Sequence, residues 1–434
     1  MSRRVVVTGM GVVCPLGNDV PTYWRRLLAG ESGVGFIEEF PTEKLRSNIA
    51  AMVRDFDAQA YLSRKETEIY GRVTHFSYAA AVEALSMAGL GGLLKEDAPH
   101  AESLRAGQPE IPEGVDRTRI GCLMSTGMGS VDIFEQQTEK SRLRGPRAVS
   151  PFFIPGVMPN GSAALIAMRF GLMGPSYSLN SACATGTHSI ATSALMIEAG
   201  EANVMVAGGG EAATRLNTVA GFGNARALAR AFDGDPTRAS RPFDQDRSGF
   251  VMGEGAGALV LELEDHARGR GAKIFAYVAG FGMTTDAQHL TRPHDEGLGV
   301  RLATERALER AGIATNDVGY INPHATSTPQ GDAAEVKALR QVFGSGLAGV
   351  PISATKSMVG HTLGGAGAIE SIAVVCTLRD QKIHPSINID ALDESFDIDV
   401  VTGEAREVSV RYALKVSAGF GGHNCALVFE SAPT

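Results

Sequence analysis

A chain of 434 residues, 44% hydrophobic and 20% charged, carries enough apolar surface for a large core and roughly two to four domains, which excludes a disordered protein. The formal net charge of −8 and the lack of any long Lys/Arg block argue against nucleic-acid binding, and no apolar run reaches membrane-spanning length. Glycine is abundant, at 52 residues, so many tight turns and close backbone approaches are expected.

The opening MSRRVVVTGMG enters a strand pattern without an apolar leader. The cysteines (Cys14, Cys122, Cys183, Cys376, Cys425) are scattered, with no paired framework and no C-x-x-C motif. A cytoplasmic protein with free thiols is expected. Short β-rich runs then alternate with helical periodicity, the pattern of α/β layering with helices on both sides of a sheet. Strands are expected over 4–9, 120–125, 204–208, 258–262, 273–280, 320–322, 352–353, 412–417 and 426–430, and helices over 73–88, 187–199, 299–311, 332–343 and 364–380. Residues 92–118 mix charges with helix breakers and read as an exposed excursion without chemistry. RRVVVTGMGVVCPLGND at the start and AKIFAYVAGFGMTTDAQ in the last third share a strand, a glycine turn and a polar tail. They suggest a duplicated unit, divided as 1–263 and 264–434.

Four segments hold candidate chemistry. In LNSACATGTHSIATSALMIEAG, Cys183 stands where an extended run gives way to a helix. A thiol at a helix N-terminus faces unpaired N–H groups and the positive dipole end, which lower its pKa. The motif alone leaves nucleophile and buried core cysteine evenly balanced. In INPHATSTPQGD, His324 precedes the hydroxyl-rich Thr326-Ser327-Thr328, and Asp332 is placed to cap the following helix. In SATKSMVGHTLGGAGAIESI, Lys356 and His361 precede a glycine-rich entry into an apolar helix. A positive dipole end there favours neutral His361, and Glu370 could neutralise Lys356 or form an ordinary surface pair with it. In SAGFGGHNCALVF, glycines frame Phe420, which fits either a mobile ring beside a backbone N–H or a plain β-turn. A thiol, two imidazoles and amide donors together make a complete set for acyl transfer with a stabilised enolate.

With these segments, the sequence resembles the β-ketoacyl-acyl carrier protein synthases of the thiolase-like superfamily, most closely the elongating type II branch. The likeness runs from RRVVVTGMGVVCPLG to GFGGHNCALVF and includes SPFFIPGVMPN, SRPFDQDRSGFVMGEGAGALVLE and GHTLGGAGAIESI; His324 follows Cys183 by 141 positions and His361 lies 37 further on. The resemblance implies a duplicated αβαβα five-layer fold, a homodimer with SPFFIPG near the partner's acyl pocket, and no metal or redox cofactor. It implies that Cys183 takes an acyl group from an acyl carrier protein, with the N–H groups of Cys183 and Phe420 as oxyanion hole. His324 and His361 would promote decarboxylation of malonyl-carrier protein, Lys356 with Glu370 would organise the site, Thr326 and Thr328 would contact the phosphopantetheine arm, and Phe420 would gate it. Arg147 and Arg226 match basic positions for carrier-protein docking.

Some positions depart from the family pattern. Pro323-His324-Ala325 replaces Ala-His-Gly, Val416-Ser417-Ala418 replaces Asn-Ser-Phe, and Glu68 and Ile69 follow Lys65 where relatives carry cations. The competing readings are a ketosynthase of a dedicated polyketide or specialised-lipid pathway, a thiolase using Cys425 as a second cysteine, a non-catalytic chain-length partner, and a zinc site at Cys183, His324 and His361.

Overall fold

The computed structural model describes residues 3–108, 111–112 and 114–433. Two sets of five strands repeat one topology. The first comprises β1 (Val5–Val13), β2 (Ile120–Ser125), β3 (Ser176–Tyr177), β4 (Val204–Glu211) and β5 (Gly255–Leu263). They lie in the order β3-β2-β4-β5-β1, with β2 parallel to β3 and β4, and β5 antiparallel to β4 and β1. The second comprises β6 (Ala276–Thr285), β7 (Val318–Asn322), β8 (Pro351–Ile352), β9 (Tyr412–Gly419) and β10 (His423–Ser431). Its order, β8-β7-β9-β10-β6, has the same parallel and antiparallel pairings. The sets join where β1 pairs antiparallel with β6, from Val5↔Val278 to Val7↔Ala276. The two similar sequence runs thus occupy matching places in the two sets.

The strands read as continuous apolar runs because both faces are covered. Along β4, Val204 and Val206 enter an outer core while Met205 and Ala207 enter a central one. Along β10, Cys425 and Leu427 face the central core, and Ala426 and Val428 the opposite outer one. The first outer layer holds α1 (Arg72–Met87) together with the helix Gly161–Phe170. The central layer holds α2 (Thr185–Ala199) and α5 (Ala366–Asp380), and the far outer layer α3 (Leu298–Ala311) and α4 (Pro329–Phe343). This is the duplicated αβαβα arrangement, with α5 buried on every side from Ala366 to Leu378.

The central helices meet backbone to backbone at their N-terminal ends. A Cβ on Gly186 would lie 2.8 Å from Ala368 N, and one on Gly367 would lie 2.5 Å from Thr187 N. Only glycine permits that approach. It brings the turn that precedes α2 against the turn that precedes α5.

Several expectations shift. The helix expected over 364–380 divides into a 3-10 turn, Leu363–Gly365, and α5. Residues 92–118 are not simply an excursion: Leu93, Leu94, Ala98 and Ala101 are buried in the outer core beside Phe170, and Ala101–Arg105 is helical. Pro109, Glu110 and Glu113 of that stretch lie outside the described residues. Among the described residues no helix is long and apolar enough to cross a membrane.

Candidate active site

Cys183 sits in a 3-10 turn, Ala182–Ala184, that joins an extended segment to α2. Ala182, just before it, adopts φ +51, a left-handed conformation that non-glycine residues adopt only when their surroundings impose it. Asn180 Oδ1 accepts from Ala182 N at 3.1 Å, and Thr185 Oγ1 accepts from Ser181 N at 2.9 Å, holding the bend. Behind it the end of β9 packs so closely that a Cβ on Gly419 would lie 2.7 Å from Ser181 O and 3.1 Å from Cys183 N. The backbone N–H groups of Phe420 and of Cys183 itself point at the sulfur.

Cys183 is only partly exposed and packs against a buried cluster that includes Phe250, Met252 and Leu363. Burial pushes its thiol up to about 11, against the opposing pull of the Lys356 ammonium and the two N–H groups. The lowered pKa expected of a helix N-terminus is therefore not what this cavity produces; desolvation wins, and the resting group is a thiol.

His324 follows β7. Its loop passes through Ala325 (φ +25) and Ser327 (φ +70), and the Glu335 carboxyl on α4 anchors it, accepting from His324 N at 2.6 Å and Ala325 N at 2.7 Å. His361 arrives on the turn before α5, its N–H donating to Val251 O at 2.7 Å. The two rings meet edge to face with centroids 5.4 Å apart, and Phe250 meets His361 at 5.3 Å. Burial first, then the Lys356 ammonium, holds both imidazoles well below the usual histidine range, so both are neutral at pH 7. Among the described residues neither Nδ1 has a hydrogen-bond partner. A buried polar atom left unpaired costs about 1–3 kcal/mol, which a ligand accepting from or donating to these nitrogens would relieve.

Lys356 and Glu370 are buried, not a surface pair: Nζ lies 2.6 Å from Glu370 Oε1 and donates to His324 O at 2.6 Å. Sequence reasoning missed three further groups. Lys415 places Nζ 2.8 Å from the other Glu370 oxygen, and Glu335 braces the histidine loop. Glu211 accepts from Thr126 Oγ1, Gly127 N and Gly364 N at 2.8, 3.0 and 3.2 Å, tying the end of β4 to the turn before α5. Burial pushes Glu335 and Glu211 each up to about 7. The signal was present: a charged residue inside an otherwise apolar strand run, as in YALKVSAG and VMVAGGGE, has to be paired.

The Thr326 and Thr328 hydroxyls lie 3.0 Å apart. Thr328, rather than Asp332, caps α4, accepting from Gly331 N at 3.1 Å. Asp332 instead turns inward and accepts from Ser327 N and Phe243 N. The Phe420 ring is 37% exposed and meets Phe222 at 6.2 Å between centroids, while Phe222 meets Phe250 at 5.3 Å. Arg226, exposed, follows the helix Leu216–Asn224 that carries Phe222, and Arg147 is exposed on the turn Pro146–Ala148. Lys65 lies 5.8 Å from the Phe152 ring centroid, and Glu68 pairs with Arg64 on the surface. Cys425 is fully buried on β10 and burial raises its thiol further still. Among the described residues no three His, Cys, Asp or Glu side chains are placed to hold a metal ion, so Cys183, His324 and His361 do not form a ligand set.

Comparison with known proteins covers both halves of the chain. The family model for the beta-ketoacyl synthase N-terminal domain matches residues 2–267, and that for the C-terminal domain matches residues 275–390. A 3-oxoacyl-[acyl-carrier-protein] synthase 2 from Vibrio cholerae is 43% identical over 430 residues, 99% of each chain. A solved beta-ketoacyl synthase from Burkholderia phymatum superposes with a TM-score of 0.88 at 32% identity, covering 99% of this chain and 100% of the other. A type II PKS ketosynthase solved with its acyl-carrier protein has a TM-score of 0.88 at 29% identity, with complete coverage of both chains.

Proposed function

Because the chain belongs to the β-ketoacyl synthase family, we propose that it is a 3-oxoacyl-[acyl-carrier-protein] synthase acting in fatty acid elongation. In the first half-reaction Cys183 Sγ attacks the thioester carbonyl of an acyl-loaded carrier protein. The thiol proton passes to the leaving phosphopantetheine sulfur through a neutral imidazole, and the acyl group remains on Cys183. A thiol held up to about 11 needs such a base, and the neutral imidazoles supply it.

In the second half-reaction the carbon–carboxylate bond of a malonyl thioester breaks. Carbon dioxide leaves, and the electron pair passes into an enolate whose oxygen takes hydrogen bonds from His324 and His361. Neutral imidazoles can do this, since each still carries one N–H to donate. The enolate carbon attacks the acyl carbonyl, and the oxyanion formed lies between the Cys183 and Phe420 N–H groups. The C–S bond then breaks, and the departing Cys183 thiolate takes up one proton from solvent through an imidazole. The scheme calls on no group beyond these side chains, amides and solvent.

Lys356, with Glu370, holds the His324 loop; Thr326 and Thr328 hydrogen-bond the phosphopantetheine arm; Phe420, leaning on Phe222, gates the entrance. Arg147 and Arg226 meet the acidic carrier protein, and the protein works in the cytoplasm as a homodimer. The two duplicated units run 1–263 and 264–434. The observation that carries this reading is a sulfur with two backbone N–H groups directed to it and a pair of neutral, edge-to-face imidazoles with unpaired Nδ1 atoms, all three groups under the influence of the Lys356 ammonium.

The test is incubation with malonyl- and acyl-loaded carrier proteins of several chain lengths, with the products weighed. A 3-oxoacyl product two carbons longer than the acyl donor is expected. No condensation with any fatty acyl chain defeats the elongation reading, and repeated extension of one product points to a polyketide pathway.

A further inference from the structure

Lys415 sits on β9, a strand enclosed between two apolar layers, with Ala413 in the central core and Leu414 and Val416 in the outer one. Its side chain is 0% exposed. A buried ammonium persists only where partners compensate the lost hydration. Nζ lies 2.8 Å from Glu370 Oε2 and donates to Ser417 Oγ at 3.1 Å and to the Val416 carbonyl. Ser417 Oγ in turn lies 2.7 Å from Thr187 Oγ1, in the first turn of α2. On the other side, Glu370 Oε1 meets Lys356, whose Nζ donates to the His324 carbonyl. One buried polar chain thus runs Thr187–Ser417–Lys415–Glu370–Lys356–His324, from the helix that follows the nucleophile to the loop that carries an imidazole.

The charges along this chain are unequal. One carboxylate, Glu370, faces two ammonium groups, Lys356 and Lys415. Glu335 faces Lys415 from α4 with its carboxyl pushed up to about 7 by burial, and burial also lowers the Lys415 ammonium against the opposing pull of Glu370. Cys425, facing Lys415 from β10, is a thiol. His324 and His361 are neutral, and both feel the Lys415 charge.

We propose that Lys415 is a positioning residue for the condensation, tying the nucleophile helix to the His324 loop and setting a second buried cation on Glu370 within the field of both imidazoles. This rests on the condensing-enzyme reading above. It concerns a residue that sequence reasoning passed over.

The experiment compares wild type with Lys415→Gln and Lys415→Arg as full-length proteins, measuring condensation against pH and alkylation of Cys183 by iodoacetamide. Lys415→Gln should lose about tenfold to hundredfold in kcat, the scale of a site misplaced by a fraction of an ångström, with little change in KM. Its acid limb should move to higher pH, because an imidazole relieved of a nearby ammonium protonates more readily. Cys183 alkylation should change less than about threefold, since the charge acting on the sulfur is that of Lys356. Lys415→Arg keeps the charge and should keep the acid limb at the wild-type position. An unmoved acid limb in Lys415→Gln, or alkylation falling in step with turnover, overturns the proposal. If Lys415→Gln fails to fold, Lys415→Met, which leaves no polar head to bury, serves the same comparison. A wild-type protein that condenses nothing sinks the enzymatic reading itself, whereas an active wild type with an indifferent Lys415→Gln sinks this proposal alone.

Discussion

Gly419→Ala tests the geometry of the Cys183 turn at one carbon atom. The added Cβ would stand 2.7 Å from Ser181 O, 3.1 Å from Cys183 N and 3.2 Å from Ala184 N. All three are backbone atoms, so no side chain can swing aside. Restoring ordinary contact requires the end of β9 and the turn to part by roughly half an ångström, and overpacking of this kind costs about 1–3 kcal/mol of stability. The larger effect falls on rate. The next residue, Phe420, supplies one of the two N–H groups at the sulfur. Losing one oxyanion donor costs about a hundredfold to a thousandfold, or roughly 2.7–4 kcal/mol of barrier, and a half-ångström displacement should forfeit much of that. The assay is single-turnover acylation of Cys183 followed by mass, alongside thermal unfolding. Gly346→Ala, where an added Cβ meets nothing within 4 Å, is the control and should match wild type in both. Wild-type acylation by Gly419→Ala at an unchanged Tm would refute the argument, since the methyl would then have been accommodated without moving the turn.

Other expectations concern titration and the remaining cysteine. Glu335 has a folded pKa of about 7, above the ordinary carboxylate value, so the stability it contributes is complete below about pH 4.3 and is lost as pH rises through 7. Wild type should therefore lose Tm relative to Glu335→Gln between pH 5 and 8; a difference independent of pH would show that Glu335 does not titrate there. With the Cys183 thiol up at about 11, iodoacetamide labelling of that residue should rise about tenfold per pH unit from 6 to 9, and a plateau near pH 8 would reveal an activated thiolate. Cys425→Ser places a hydroxyl in the central core and should cost about 1–3 kcal/mol by thermal unfolding, yet leave turnover within about twofold. Collapse of turnover would revive a thiolase-like role.

The fold was readable because enclosure on both faces leaves an unmistakable trace: β2 and β4 are buried along their whole length and apolar except at their last residues, Ser125 and Glu211, and their starts at Ile120 and Val204 match the expected ones. β8 left less trace, since a two-residue strand offers no periodicity. Glycine-rich entry to α5 was legible as close packing, but not which backbone it would meet. At the site, the residue types and their order along the chain were visible. Their ionisation was not, because it depends on depth. The helix end argued for a lowered thiol, and only the burial of Cys183 against the cluster of Phe250, Met252 and Leu363 reverses the sign. Glu335 stayed hidden for a related reason: a charged residue on a helix reads as solvent-facing until the backbone it holds is located.

The glycine contact between α2 and α5 has a mechanical consequence. One helix follows the turn that carries Cys183 and the other the turn that His361 leads into, so the gap between their axes works as a caliper set across the proposed reaction centre. A bulkier residue at Gly186 or Gly367 would open the caliper and draw sulfur and imidazole apart without touching either. Drift at these two glycines is therefore bounded by the reach of a single bond-forming step as well as by the demands of folding.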